Sequence, residues 1–190
     1  MNAHVEPDKM VRREPPEAAW RADLLANTGN SGVVAAAVAL ITDPGFTVIA
    51  WWRAAKWLRF NTRWGHGITW LIVRSLARRG CFISVLAEIG PGLKLPHPTG
   101  LVIGEGSHVG SGVTLYHNVT LGRHAWNEPG CPRVGDGVVI YAGAVIIGPI
   151  KIGEGATVAA NSVVNRDVLP KAVVAGIPAK SMRSASSSSR

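Results

Sequence analysis

Between Ile89 and Leu169 an aliphatic residue returns every six positions: Ile89, Leu95, then Ile103, Val109, Leu115, Leu121, then Val134, Ile140, Ile146, Ile152, Val158 and Val164. The position after each head is often glycine (Gly90, Gly104, Gly110, Gly122, Gly135, Gly153). The fifth position is small or β-branched (Val113, Val119, Val138, Ala144, Ala156, Ser162). One short strand and one corner per six is the signature of a parallel β-helix. Three sixes close a triangular coil, so residues eighteen apart stack about 4.8 Å along the axis. The heads and the small residues share a narrow shaft. Glycine serves the corners, where positive φ or close backbone approach is needed. Stacking then buries a continuous core that a single coil cannot bury.

The rhythm breaks twice. The step from Leu95 to Ile103 is eight, beside His97, and the step from Leu121 to Val134 is thirteen, which extrudes a loop. A regular solenoid interrupts its period where function needs a presented segment. The two extra residues of the first break are assigned to an outward bulge near 101–102.

Ahead of the repeat the pattern is helical. Residues 1–19 read as a charged, Pro-rich arm with a helix starting near Pro16, and 20–80 as a helical segment. Residues 81–182 form the β-helix, and 183–190 a low-complexity tail. Trp51, Ala54, Ala55 and Leu58 fall at helical spacing, as do Trp64, Ile68, Leu71 and Ile72, with Asp43-Pro44-Gly45 as a turn. No acidic residue lies between Asp43 and Glu88, yet Arg53, Lys56, Arg59, Arg63, Arg74, Arg78 and Arg79 do, interleaved with five tryptophans. That pattern suits a peripheral contact with an anionic membrane surface. It equally suits a helical cap whose cations are solvated and whose tryptophans pack on the coil.

Of the 190 residues, 47% are hydrophobic and 17% charged, with a formal net charge of +8, a globular composition. Nothing resembles a nucleic-acid recognition module. Cys81 and Cys131 make no disulfide framework, the first twenty residues do not read as a signal peptide, and a cytoplasmic setting follows.

Leu95, Leu115, Ile140 and Val158 head successive sixes on one face of the prism. Two residues after each come His97, His117, Ala142 and Ala160, a column about 14 Å long with imidazoles at one end and methyls at the other. An extended thioester-bearing arm fits such a floor. A hydroxyl attacking a thioester needs a base with a pKa near 7, which histidine supplies. His97, held between Pro96 and Pro98 at a phase break, is the candidate general base. His117 either stacks beneath a ligand or is a solvated face residue; His108 and His124 read as bland, although His124 sits in the extruded loop, within reach of a substrate.

The stretches Ile89–Gly92, Leu95–Glu105, Asn118–Gly122 and Ala175–Lys180 resemble the serine acetyltransferases, and more closely the branch found with polysaccharide biosynthesis genes. The resemblance covers residues 82–182. It implies a left-handed β-helix, acetyl-CoA as donor, a homotrimer, and active sites between subunits. It places His97 as the catalytic histidine and Gly122, Ala142 and Ala160 along the coenzyme A arm. Lys180 is either a cation for the coenzyme's phosphates or a solvated tail residue.

Three positions depart from that pattern. Phe82 stands where the resembled enzymes orient their histidine with an aspartate. Pro96 replaces a second aspartate, and Cys131 a histidine that helps hold serine. An amino-acid acceptor needs charged partners for its carboxylate and ammonium, and these positions lack them. The expectation is therefore O-acetylation of a sugar or polysaccharide precursor, with His117, Trp126, Asn127 and Cys131 on the acceptor side. Serine O-acetylation in cysteine biosynthesis is the alternative, followed by a non-catalytic trimeric scaffold. A zinc carbonic anhydrase built on His97, His117 and His124 has the wrong spacing, and no metal is expected.

Overall fold

The computed structural model describes residues 16–124 and 130–182. Four helices come first: α1 (Pro16–Thr28), α2 (Val33–Thr42), α3 (Pro44–Asn61) and α4 (Gly65–Arg78). The coil begins with β1 (Phe82–Ile83), β2 (Glu88–Ile89), β3 (Val102–Ile103), β4 (His108–Val109), β5 (Thr114–Leu115) and β6 (Thr120–Gly122). It continues with β7 (Arg133–Val134), β8 (Val139–Ile140), β9 (Val145–Ile147), β10 (Lys151–Ile152), β11 (Thr157–Val158) and β12 (Val163–Val164). β13 (Val173–Gly176) and β14 (Ala179–Ser181) close it as an antiparallel pair.

The strands form the three walls of a left-handed parallel β-helix. The first wall runs β1-β3-β6-β9-β12, the second β2-β4-β7-β10, the third β5-β8-β11-β13-β14. Val145 pairs with Val163, Arg133 with Lys151 and Val139 with Thr157, each eighteen residues apart. Pairs that cross the first break are twenty apart (Phe82 with Val102, Glu88 with His108). Those that cross the second are twenty-five apart (Thr120 with Val145, Thr114 with Val139). Every head from Leu95 to Val164 is buried, and all six small residues named at the fifth position are wholly enclosed.

Two expectations need correction. The first break is not accommodated at 101–102. Leu101 stands two before the head Ile103, as Val113 stands two before Leu115, and it fills the shaft, while Val102 pairs on both sides. The extra residues lie in 96–100, where His97 and Thr99 project into solvent. The second concerns glycine. Gly90, Gly104, Gly110, Gly122, Gly135 and Gly153 have ordinary φ. At most of them close approach is the constraint: a Cβ on Gly153 would lie 2.3 Å from Pro170 N. Positive φ falls two residues later, at Gly92, Gly106, Gly112, Gly137, Gly143 and Gly155, and at Asn118 and Asn161 (φ 56).

The helices cap the base of the coil. Asp43 does not form a free turn; its side chain accepts the Phe46 N–H at 2.6 Å and starts α3 with Pro44 in the first turn. The buried face of α3 is Phe46, Ile49, Trp52 and Ala55, so Trp51 lies off it. Trp64, just before α4, and Ile68 and Leu71 on it face outward, while Thr69, Ile72 and Leu76 face in. Helical spacing alone could not select the face, because apolar residues surround both helices.

The lowest coil has no strand beneath it, and side chains satisfy its backbone. Asp23 Oδ1 accepts the Gly92 and Leu93 N–H groups at 2.9 and 3.0 Å. Asn27 bridges Leu95 N–H and Leu93 C=O at 2.9 and 2.8 Å. Arg53 forks onto the fully buried Asp23 and reaches the carbonyls of Ile89 and Gly90. Trp52 Nε1–H donates to Ser84 C=O and Lys56 to Ala87 C=O. Burial lowers the Lys56 pKa, with Glu88 opposing the shift. The basic, Trp-rich stretch therefore divides. Trp52, Arg53 and Lys56 face the coil, while Trp51, Trp57, Trp64 and Trp70 stay at the surface. Among the described residues no single helix is long and apolar enough to cross a membrane.

Asp23→Ala leaves Arg53 without its partner and two coil N–H groups unsatisfied. It should cost about 3–5 kcal/mol in equilibrium denaturation, and a loss below about 1 kcal/mol would show that the base does not depend on this pair.

Candidate functional site

The corner that joins the third wall to the first carries the candidate site. The bridge Lys94–Thr114 and the pairs Thr114–Val139 and Val139–Thr157 set its register. Three residues on, that register stacks His97, His117, Ala142 and Ala160. Backbone bonds lock the stack: Asn118 N–H to Thr99 C=O at 2.8 Å, Gly143 N–H to His117 C=O at 3.0 Å, Asn161 N–H to Ala142 C=O at 2.9 Å. The two imidazole centroids are 6.3 Å apart at 58°. His97 and Ala160 are exposed; His117 and Ala142 are half-buried. His117 Nδ1 is buried without a hydrogen-bond partner among the described residues. Beside the column Tyr116 and Tyr141 stack at 5.0 Å.

The loop at His97 is stiff for local reasons. Proline on both sides restricts its backbone, and the Thr99 N–H donates to His97 C=O at 2.8 Å. Pro98 is buried, and the Cys81 thiol donates to its carbonyl. Burial raises the Cys81 pKa, and nearby Arg79 only partly opposes this, so the thiol stays a neutral donor. Gly45 lets α3 approach this loop, since a Cβ there would lie 2.2 Å from Leu95 O.

A cavity of about 240 Å³ opens where helices and loop meet, lined by Pro44, Val48, Arg79, His97, Pro98 and Thr99. His97, the candidate base, and Arg79 thus line one space. Arg79 belongs to no motif and reads in the sequence as one more cation of a basic stretch. The available signal was its place: it is the last cation before Gly80-Cys81, where the helical segment meets the coil.

The other candidate residues are dispersed. Lys180 pairs with Ala175 across the closing hairpin, two strand rungs above the level of Ala160, and is exposed. Gly122 and Cys131 lie at the corner between the first and second walls, so one protomer does not bring them to His97. A Cβ on Gly122 would meet nothing nearer than 4.0 Å, which leaves its backbone open to approach. Cys131 Sγ donates to Glu105 C=O at 2.8 Å. Trp126 and Asn127 lie outside the described residues. His108 pairs with Glu88 at 3.0 Å. No three His, Cys, Asp or Glu among the described residues converge as a metal-ligand set.

The bacterial transferase hexapeptide family (six repeats) matches residues 131–166. A serine acetyltransferase of Mycobacterium tuberculosis is 42% identical over 148 residues, covering 71% of this chain and 59% of that protein. The soybean serine acetyltransferase apoenzyme superposes with a TM-score of 0.78 at 36% identity, over 88% of this chain and 69% of that one. A Neisseria gonorrhoeae serine acetyltransferase in complex with serine gives 0.75 at 33% identity, over 87% and 68%. The chain spans between 24% and 59% of the length of the curated relatives it matches.

These relatives overturn the expectation of a sugar acceptor and of the polysaccharide branch. Pro96, Cys131 and Phe82 are uncharged, but motif positions do not exhaust the charge near His97: folding brings Arg79 to its cavity from outside every motif.

The geometry separates two alanines in neighbouring positions. Ala156→Leu forces bulk into the closed shaft and should cost about 1–3 kcal/mol, lowering Tm by several degrees. Ala160→Leu points outward and should leave Tm nearly unchanged; thermal melts that show equal losses would place Ala160 in the core instead.

Proposed function

The chain belongs to the hexapeptide-repeat acyltransferases, and we propose that it is an acetyl-CoA-dependent serine O-acetyltransferase. The observation that carries this reading is the placement of His97. It stands at the junction of a partly open cavity sized for a small acceptor and an open column of small side chains suited to an extended donor.

In this reading His97 accepts the proton of the serine hydroxyl as its oxygen attacks the thioester carbonyl. The tetrahedral intermediate collapses to O-acetylserine and the coenzyme A thiolate, to which His97 returns the proton. Backbone N–H groups at the coil corner hold the oxyanion. Ala142 and Ala160 form the floor under the pantetheine arm, because methyl groups let it approach the backbone. Lys180, two strand rungs above Ala160, meets the phosphate end. His117, with its buried Nδ1, lies under the reacting end.

Gly122 and Cys131 sit on a different corner of the prism, so they reach a site only from a neighbouring copy. The proposal therefore includes a homotrimer with active sites between subunits.

Thiol release from acetyl-CoA with serine as acceptor tests the reading. Turnover should reach ordinary enzyme efficiency, about 10⁴ M⁻¹s⁻¹ or more. His97→Ala should lower kcat by roughly 10²–10⁴ with little change in acetyl-CoA affinity. Ala160→Leu should raise the KM for acetyl-CoA and spare that for serine. Absence of serine-dependent thiol release, or a His97→Ala variant at wild-type turnover, would reject it.

A further inference from the structure

We propose that Arg79 is the specificity-determining residue that holds the acceptor's carboxylate beside His97. This rests on the acceptor reading above and adds to it the group by which an amino acid is told from a neutral alcohol. Arg79 follows the last residue of α4, and its backbone N–H bonds to Leu76 C=O at 3.0 Å, so the side chain starts from a fixed point. It lines the same cavity as His97, and it is the one charged side chain among the lining residues that is cationic at every working pH. Pro44, Val48 and Pro98 give the cavity apolar walls, and Thr99 adds a hydroxyl.

Arg79 is also unspent. It makes no side-chain hydrogen bond or ion pair among the described residues, unlike Arg53, which is committed to Asp23. No acidic residue lies between Asp43 and Glu88 to neutralise it locally. Asp43, next to Pro44, uses Oδ1 to cap α3. The plain alternative is that a cation at a helix C-terminus only complements the dipole. That role requires neither the cavity nor the histidine opposite, and it makes no distinction between acceptors.

A guanidinium binds a carboxylate through two parallel N–H···O bonds. Serine placed this way directs its other end, the hydroxyl, within the same cavity as His97. Cys131, which stands where the resembled enzymes carry an acceptor-holding histidine, is then not needed for the carboxylate.

The experiment compares serine with serinamide, which keeps the hydroxyl and ammonium but has no carboxylate. Wild-type enzyme should prefer serine by about 10–100-fold in kcat/KM, the size of one charged hydrogen bond. Arg79→Gln should raise the KM for serine by a similar factor, leave the KM for acetyl-CoA unchanged, and abolish the preference over serinamide. Arg79→Lys should restore part of it, since charge returns without the fork. Equal use of serine and serinamide by wild-type enzyme would overturn the proposal without any variant having to fold. A folded Arg79→Gln enzyme that keeps the full preference would also overturn it. No serine turnover by wild-type enzyme would defeat the acceptor reading itself, a separate result.

Discussion

The stacking of one coil on the next governs this molecule. Each strand is two to four residues long and bonds only to strands above and below it. The aliphatic heads must superpose along the axis, because a slip of one residue would turn a head outward and a polar residue in. A register so strict cannot absorb insertions inside the shaft. Extra residues are expelled at corners, and both breaks obey this: 96–100 at one corner, and the loop after Gly122 at another. The candidate base stands on the first of them.

The base of the solenoid creates a second demand, since an unpaired coil edge exposes backbone donors and acceptors. Asp23, Asn27 and Arg53 meet it with side chains in place of strands. Holding the helical layer there has a consequence for chemistry. The start of α3 is pressed against Leu95 at Gly45, which puts Pro44 and Val48 against the His97 loop. The end of α4 brings Arg79 to the same place. The cavity is thus a by-product of capping: the packing that closes the coil end also shapes the space beside His97.

The departures from the serine acetyltransferase pattern look different in this light. Phe82, Pro96 and Cys131 put no charge at the three departing positions. Arg79 lines the His97 cavity from the helical side. Charge in a small cavity is a matter of what converges there, and the converging groups need not come from the same stretch of chain.

The sequence by itself determined the solenoid, its period, its two interruptions and the column His97, His117, Ala142, Ala160. A six-residue period with buried heads has one stable realisation, and register then follows by counting. It could not choose which glycines take positive φ and which yield to a neighbouring backbone, because both uses leave the same letter; the close pass of Gly153 by Pro170 is visible only in space. Nor could it choose the inward faces of α3 and α4, where apolar residues surround the axis and only the shape of the coil base selects Trp52 over Trp51. The cavity beside His97 was decided by tertiary structure alone. Arg79 and His97 are eighteen residues apart in a stretch with no shared motif, and they line one cavity because α4, Gly80 and the Pro96–Gly100 corner fold back on one another. Local pattern records what repeats, whereas a site assembled from a helix end and a loop depends on packing between elements that carry no common period.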